Sequence, residues 1–132
     1  MLDFDLKLNT LLKLQLSYSI LGILFNIVSW GLLLSSGKAL TPTDPKLGVW
    51  VMILYALFLL AGKMKRILLF RILMFLAVLV FGYSGVIKHM LTLSHSPELY
   101  RTVGAGVLAI GINLFGVGLN GYAALGLFKA KK

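Results

Sequence analysis

Four stretches of this chain carry almost no charge, and each is close to the length a helix needs to cross a bilayer. They fall at about Leu16–Leu34 (LSYSILGILFNIVSWGLLL), Leu47–Gly62 (LGVWVMILYALFLLAG), Ile67–Ile87 and Val103–Phe128. A crossing takes about 20 apolar residues. Inside hydrocarbon every backbone N–H and C=O must find its partner within the protein, which leaves helix as the solution for isolated runs of this kind. Charged residues make up 13% of the 132-residue chain and hydrophobic ones 59%, about half the charge of an ordinary soluble domain. The expected fold is an all-α membrane protein: a four-transmembrane-helix bundle with antiparallel neighbours, forming one integral membrane domain over residues 1–132.

The net charge of +9 raises the question of nucleic acid. The cations are not interleaved with stacking aromatics on a soluble face; they punctuate the ends of the apolar runs, so nucleic acid is set aside as a partner. Lys7, Lys13, Lys63, Lys65, Arg66, Arg71, Lys129, Lys131 and Lys132 belong to the termini and to the loop between spans two and three. Only Lys38, Lys46, Lys88 and Arg101 belong to the other two loops. Cytoplasmic segments carry the excess of Lys and Arg, so both termini are expected in the cytoplasm. Four crossings require the termini to share a side. The expected location is a bacterial inner (plasma) membrane, crossed several times.

Local signals refine the spans. Residues 1–15 alternate apolar and polar at Leu2, Asp3, Phe4, Asp5, Leu6, Lys7, Leu8 and Asn9, then turn helical. They are expected to form an interfacial segment leading into span one, with Asn9 or Thr10 as its cap. The first apolar run is too long for a signal-peptide core, so span one is expected to be retained. Asp44-Pro45 supplies an N-cap and a first-turn proline to span two, and Ser96-Pro97 offers the same to span four. The link KMKR (63–66) is so short that spans two and three must form a tight helical hairpin. Arg71 lies one turn inside span three and is expected to snorkel toward the head groups.

The stretch GAGVLAIGINLFGVGLNGYAALG (104–126) holds half of the chain's 14 glycines. In lipid, helix association rests on close backbone approach and interhelical hydrogen bonds, so small residues gather at interfaces. Thr102, Gly106, Ala109, Asn113, Gly116, Asn120 and Ala123 follow steps of four and three, the spacing of a packing seam. Gln15, Ser19, Gly22, Asn26, Ser29, Leu33 and Ser36 do the same in span one. The two stripes are expected to face the interior and each other, as packing seams or as the lining of a polar cavity, with Asn26, Asn113 and Asn120 bonding across helices. A second row, Gly104, Gly111 and Gly118, predicts close packing on another flank of span four.

The available chemistry is sparse. The chain has no cysteine, which removes disulfides, thiolate ligands and thiol nucleophiles. Asp3, Asp5, Asp44 and Glu98 all lie outside the spans, so the intramembrane carboxylate of proton- and sodium-coupled transporters is missing. His89, His95 and Glu98, expected in the outer loop, are weak metal candidates because their spacing follows no ligand pattern; neither metal nor cofactor is expected. Lys63, Lys65, Arg66 and Arg71 form a basic cytoplasmic cluster suited to orientation and to anionic lipid. There is no phosphate-binding loop. The glycine–asparagine run of span four resembles the small four-span fluoride channels over a few residues only. The early Gly-Arg pair of that family is missing here, so no family is assigned.

The function expected from these features is a non-enzymatic accessory or assembly subunit of a larger membrane complex, joined to other membrane subunits or to copies of itself by close helix packing. The alternative is an oligomeric transporter or channel for a small neutral or anionic solute, lined by the membrane asparagines. A membrane enzyme using the His89/His95/Glu98 loop and Tyr83 ranks last.

Overall fold

The computed structural model describes residues 6–130, and it is all-α apart from one isolated bridge. Its helices are α1 (Leu8–Ser36), α2 (Pro45–Lys63), α3 (Ile67–Val80), a π-helical segment (Phe81–Ile87), α4 (Lys88–His95) and α5 (Val103–Ala124). A short 3-10 turn, Pro97–Leu99, precedes α5. Because α3, the π segment and α4 run on without a break, four helices are long and apolar enough to cross a membrane: Leu8–Ser36, Pro45–Lys63, Ile67–His95 and Val103–Ala124. The chain is therefore a candidate multi-pass integral membrane protein. At 1.5 Å per residue, the 29-residue first and third helices are about 43 Å long, well beyond a hydrocarbon layer of about 30 Å.

Each helix has two neighbours. α1 lies against α2 and α5, and α3 lies against the same two helices. The three-residue link after Lys63 turns the chain back on itself, and Lys65 takes the left-handed conformation that this tight reversal needs (φ 59°). Both ends of the described chain meet at the hairpin end of the bundle. Extended Leu6 and Lys7 pair with Lys129: the Leu8 amide donates to the Lys129 carbonyl, and the Lys129 amide donates to the Leu6 carbonyl, each at 3.0 Å.

Several boundaries differ from the sequence expectation. The first helix begins at Leu8 with Lys7 as a cap that offers no side-chain bond, so neither Asn9 nor Thr10 caps it. The pairing with Lys129 holds Lys7 extended and so fixes the start of the helix. Leu2, Asp3, Phe4 and Asp5 lie outside the described residues, as do Lys131 and Lys132. Ser96-Pro97 opens only the 3-10 turn; Thr102 caps α5 by accepting from the Ala105 amide at 3.0 Å. α5 is consequently shorter than α1, and it ends at Ala124 rather than Phe128. At Asp44-Pro45, the Asp44 carboxylate accepts from the Lys46 amide at 3.0 Å, with proline in the first turn.

Candidate functional site

The glycines act as holes for side chains from neighbouring helices. A Cβ at Gly116 would run into the Tyr18 ring, one at Gly22 into Met52, one at Gly48 into the Asn26 amide and one at Gly85 into the Asn113 amide. These pairs stitch α5 to α1, α1 to α2 twice, and the π segment to α5. Gly106 receives Leu93 and Tyr100 in the same way. On α5, Gly106, Ala109, Gly116, Asn120 and Ala123 are buried, and Asn113 is half-buried. On α1, Ser19, Gly22 and Ser29 are buried, and Asn26 is half-buried.

Two sequence expectations need correction. The stripe of α1 meets that of α5 only at Gln15, which donates to Asn120; Ser19, Gly22 and Asn26 pack on α2, where the Ser19 hydroxyl donates to the Met52 carbonyl at 2.9 Å. The rest of the contact between α1 and α5 runs through Tyr18, whose ring fills the space left by Gly116. The second row, Gly104, Gly111 and Gly118, meets no neighbouring helix, and a Cβ at Gly111 or Gly118 would point into open space.

A polar network lies in the bundle's centre. Asn120 Oδ1 accepts from the Tyr55 hydroxyl at 2.6 Å and from Gln15 Nε2 at 3.1 Å. Gln15 Nε2 also approaches Met74 Sδ at 3.1 Å. Gln15 Oε1 and Asn120 Nδ2 are buried without a partner. Closer to the other end, Asn113 Oδ1 accepts from the Tyr18 hydroxyl at 3.1 Å, while Asn113 Nδ2 donates to the Ala109 carbonyl at 2.9 Å. Asn26 bonds within its own helix, donating to the Gly22 carbonyl at 2.8 Å. Between these groups, Tyr18, Tyr55 and Phe81 meet edge to face, with centroids 5.3, 5.7 and 5.6 Å apart. This is the favourable geometry for aromatic pairs.

On the loop side of the aromatic triad lies a cavity of about 360 Å³. Phe25, Val51, Met52, Val80, Phe81 and Ile112 form its apolar walls, and Asn26, Thr41, Ser84, Lys88, His89 and Asn113 supply polar groups. The π segment shapes it. The wider turn buries Phe81 and Gly85 and leaves Ser84 at the rim, its hydroxyl returned to the Val80 carbonyl at 2.6 Å. Stretches of π-helix within α-helices frequently mark functional positions. α2 packs on α3 near the hairpin and meets the π segment through the Tyr55–Phe81 pair; beyond that pair the cavity lies between them, with exposed Leu47 on one side and exposed Val80 and Ser84 on the other.

Toward the loop end the connecting segments are tied to one another. Arg101 donates from Nη1 to Ser36 Oγ at 2.7 Å and to the Lys38 carbonyl at 2.9 Å. The Arg101 amide donates to the Leu40 carbonyl at 3.1 Å, and Lys38 Nζ donates to the Glu98 carbonyl at 2.8 Å. The Leu40 amide donates to Ser29 Oγ at 2.9 Å, which gives Ser29 an anchoring role outside the cavity lining. Buried Thr41 forms part of the ceiling.

His89 is buried in a helix rather than solvated in a loop. The Tyr100 hydroxyl lies 2.7 Å from His89 Nδ1 and donates to the His89 carbonyl at 3.3 Å; Thr43 Oγ1 lies 3.4 Å from Nε2. A proton on Nδ1 satisfies all three contacts. Burial raises the Tyr100 hydroxyl above its ordinary value, so it stays protonated. His95 turns back to the Leu91 carbonyl at 2.9 Å, and Glu98 is exposed. Among the described residues no group of three acidic or histidine side chains stands close enough to hold a metal ion, so His89, His95 and Glu98 do not come together.

The basic cluster is also divided. Lys63, Lys65 and Arg66 are exposed around the hairpin. Arg71 reaches from α3 to the end of α5, where Nε donates to the Ala124 carbonyl at 3.0 Å. The roles of Tyr18, Phe81, Ser84 and Lys88 are absent from the sequence expectation. Their only sequence signal is the pair Gly82/Gly85, which interrupts an otherwise bulky span. No protein-family model matches the chain, and neither a curated protein nor a solved structure is similar to it.

Proposed function

We propose that the chain is a non-enzymatic protein of the bacterial inner membrane, with both termini cytoplasmic, that binds a small amphiphile in the cavity beside Asn26 and Asn113. One observation carries this proposal: exposed residues of two membrane-spanning helices, Leu47 of α2 and Val80 and Ser84 of the third, line the cavity and leave a gap between those helices. A ligand that enters by such a gap comes from the bilayer. The volume of about 360 Å³ lies within the range of small-molecule sites. It is a single-chain form of the asparagine-lined solute site expected from the sequence. The orientation rests on the nine cations of the termini and hairpin against the four of the other end. Native mass spectrometry of protein extracted in mild detergent provides the test. Wild type should retain a small-molecule adduct that Ser84→Trp, which plugs the rim, loses. Adduct-free wild type, or adducts indifferent to Ser84→Trp, would contradict the proposal.

A second function, the accessory subunit joined by helix packing, is favoured by Gly104, Gly111 and Gly118. They line an open flank of α5 between exposed Val107, Leu108, Leu114 and Phe115, the composition of a helix–helix seam. A partner subunit or second copy that co-purifies with wild type but not with Gly111→Leu would support it. In either function, exposed Lys63, Lys65 and Arg66 are suited to anionic lipid at the cytoplasmic face.

A further inference from the structure

The lining of the cavity includes one lysine and no carboxylate. Lys88 lines the rim, no Asp or Glu lines the cavity, and Lys88 has no hydrogen-bond or ion-pair partner among the described residues. Lys88 stands seven residues beyond Phe81 along the same continuous helix, so the charge sits toward the roofed end and the aromatic floor lies deeper. Val51 of α2 faces Val80 and, within the π segment, Ser84 across the cavity. A cation near low-dielectric surroundings is stabilised by an opposite charge and repels its own sign.

We infer that the ligand is a single-chain amphiphile with an anionic head, the head resting against Lys88 and the apolar tail lying between α2 and the π segment. The inference deepens the proposed function and rests on the cavity being a ligand site. The cavity volume is at the small end of ligand sites, about 300–1,000 Å³, which favours one chain over a two-chain lipid. The amides of Asn26 and Asn113 are bonded to their own helices, which leaves Lys88 as the group that selects by charge.

The test uses the full chain in phosphatidylcholine vesicles with two photoreactive probes of equal length, diazirine-bearing hexadecyl sulfate and diazirine-bearing hexadecanol. Both should label the peptides containing Val51 and Val80–Lys88, the sulfate in preference. Lys88→Ala should lower sulfate labelling roughly tenfold, the value of a charge-assisted contact, and leave the alcohol unchanged; Lys88→Arg should preserve both. Lys88 is exposed and unpartnered, so its replacement leaves the packing intact. Equal labelling by the two probes, indifferent to Lys88→Ala, would overturn the anionic head while leaving a cavity that binds amphiphiles. Absence of label from these peptides with either probe, or label that survives Ser84→Trp, would overturn the cavity itself as a ligand site.

Discussion

The ring of Tyr18 occupies the space that a side chain at position 116 would need. The contact joins α1 to α5 at the bundle's centre. Tyr18 cannot step aside easily, because its hydroxyl donates to Asn113 and its ring packs on both Tyr55 and Phe81. Gly116→Ala should therefore destabilise the protein by about 1–3 kcal/mol, the usual range for overpacking. Gly118→Ala, facing open space on the same helix, should be neutral or slightly stabilising. Thermal or denaturant unfolding of both variants in one detergent checks the contrast.

Asn120 serves two donors from two other helices, Tyr55 and Gln15. Asn120→Leu leaves the Tyr55 hydroxyl unpaired and Gln15 Nε2 with only the Met74 sulfur, and should cost about 1–3 kcal/mol. Adding Tyr55→Phe removes one orphaned donor, so the double variant should cost less than the sum of the two singles. A double-mutant cycle measures that coupling. Costs that simply add would show that the hydrogen bond contributes nothing.

Arg71 ties down the end of α5 through the Ala124 carbonyl. Removing it by Arg71→Gln should cost about 1 kcal/mol, the value of a cation at a helix C-terminus. The loss should be local. Amide exchange at Leu125–Phe128 is expected to quicken, with little change at the centre of α5.

The roof over the cavity depends on Arg101, which bonds Ser36 and Lys38 from a distant part of the chain. Arg101→Ala should loosen it and expose Thr41, which is 6% accessible in the closed arrangement. The chain has no native cysteine, so a single Thr41→Cys reports cleanly. It should react slowly with a membrane-impermeant maleimide and several times faster once Arg101 is replaced.

What could be read from the sequence was set by how local the cause is. Asp44-Pro45 and the KMKR hairpin depend on neighbouring residues, and the structure has the cap and the reversal where these residues predict them. The buried stripe of α5 follows from a spacing visible within one helix. The π segment does not, because it depends on Phe81 fitting between Tyr18 of α1 and Tyr55 of α2. That the row Gly104, Gly111 and Gly118 meets no helix of this chain was hidden for a related reason. Lipid tails are as apolar as leucine, so a spacing of seven cannot say whether its face meets a helix of the same chain. The cap at Lys7 was hidden because its partner, Lys129, lies at the far end of the chain. The cavity is the most hidden feature of all, being made by the parting of two helices whose hairpin link is legible.

The gap between α2 and the π segment is the feature on which the proposed function stands, and site-directed spin labelling measures it directly. A nitroxide at Val51 in the otherwise cysteine-free chain, reconstituted in a bilayer, should be readily relaxed by lipid-soluble oxygen and poorly by a water-soluble nickel complex. Adding Ser84→Trp should suppress the oxygen effect. An immobile Val51 label, shielded from oxygen whether or not Ser84 is replaced, would mean that α2 and the π segment are packed together with no path between them.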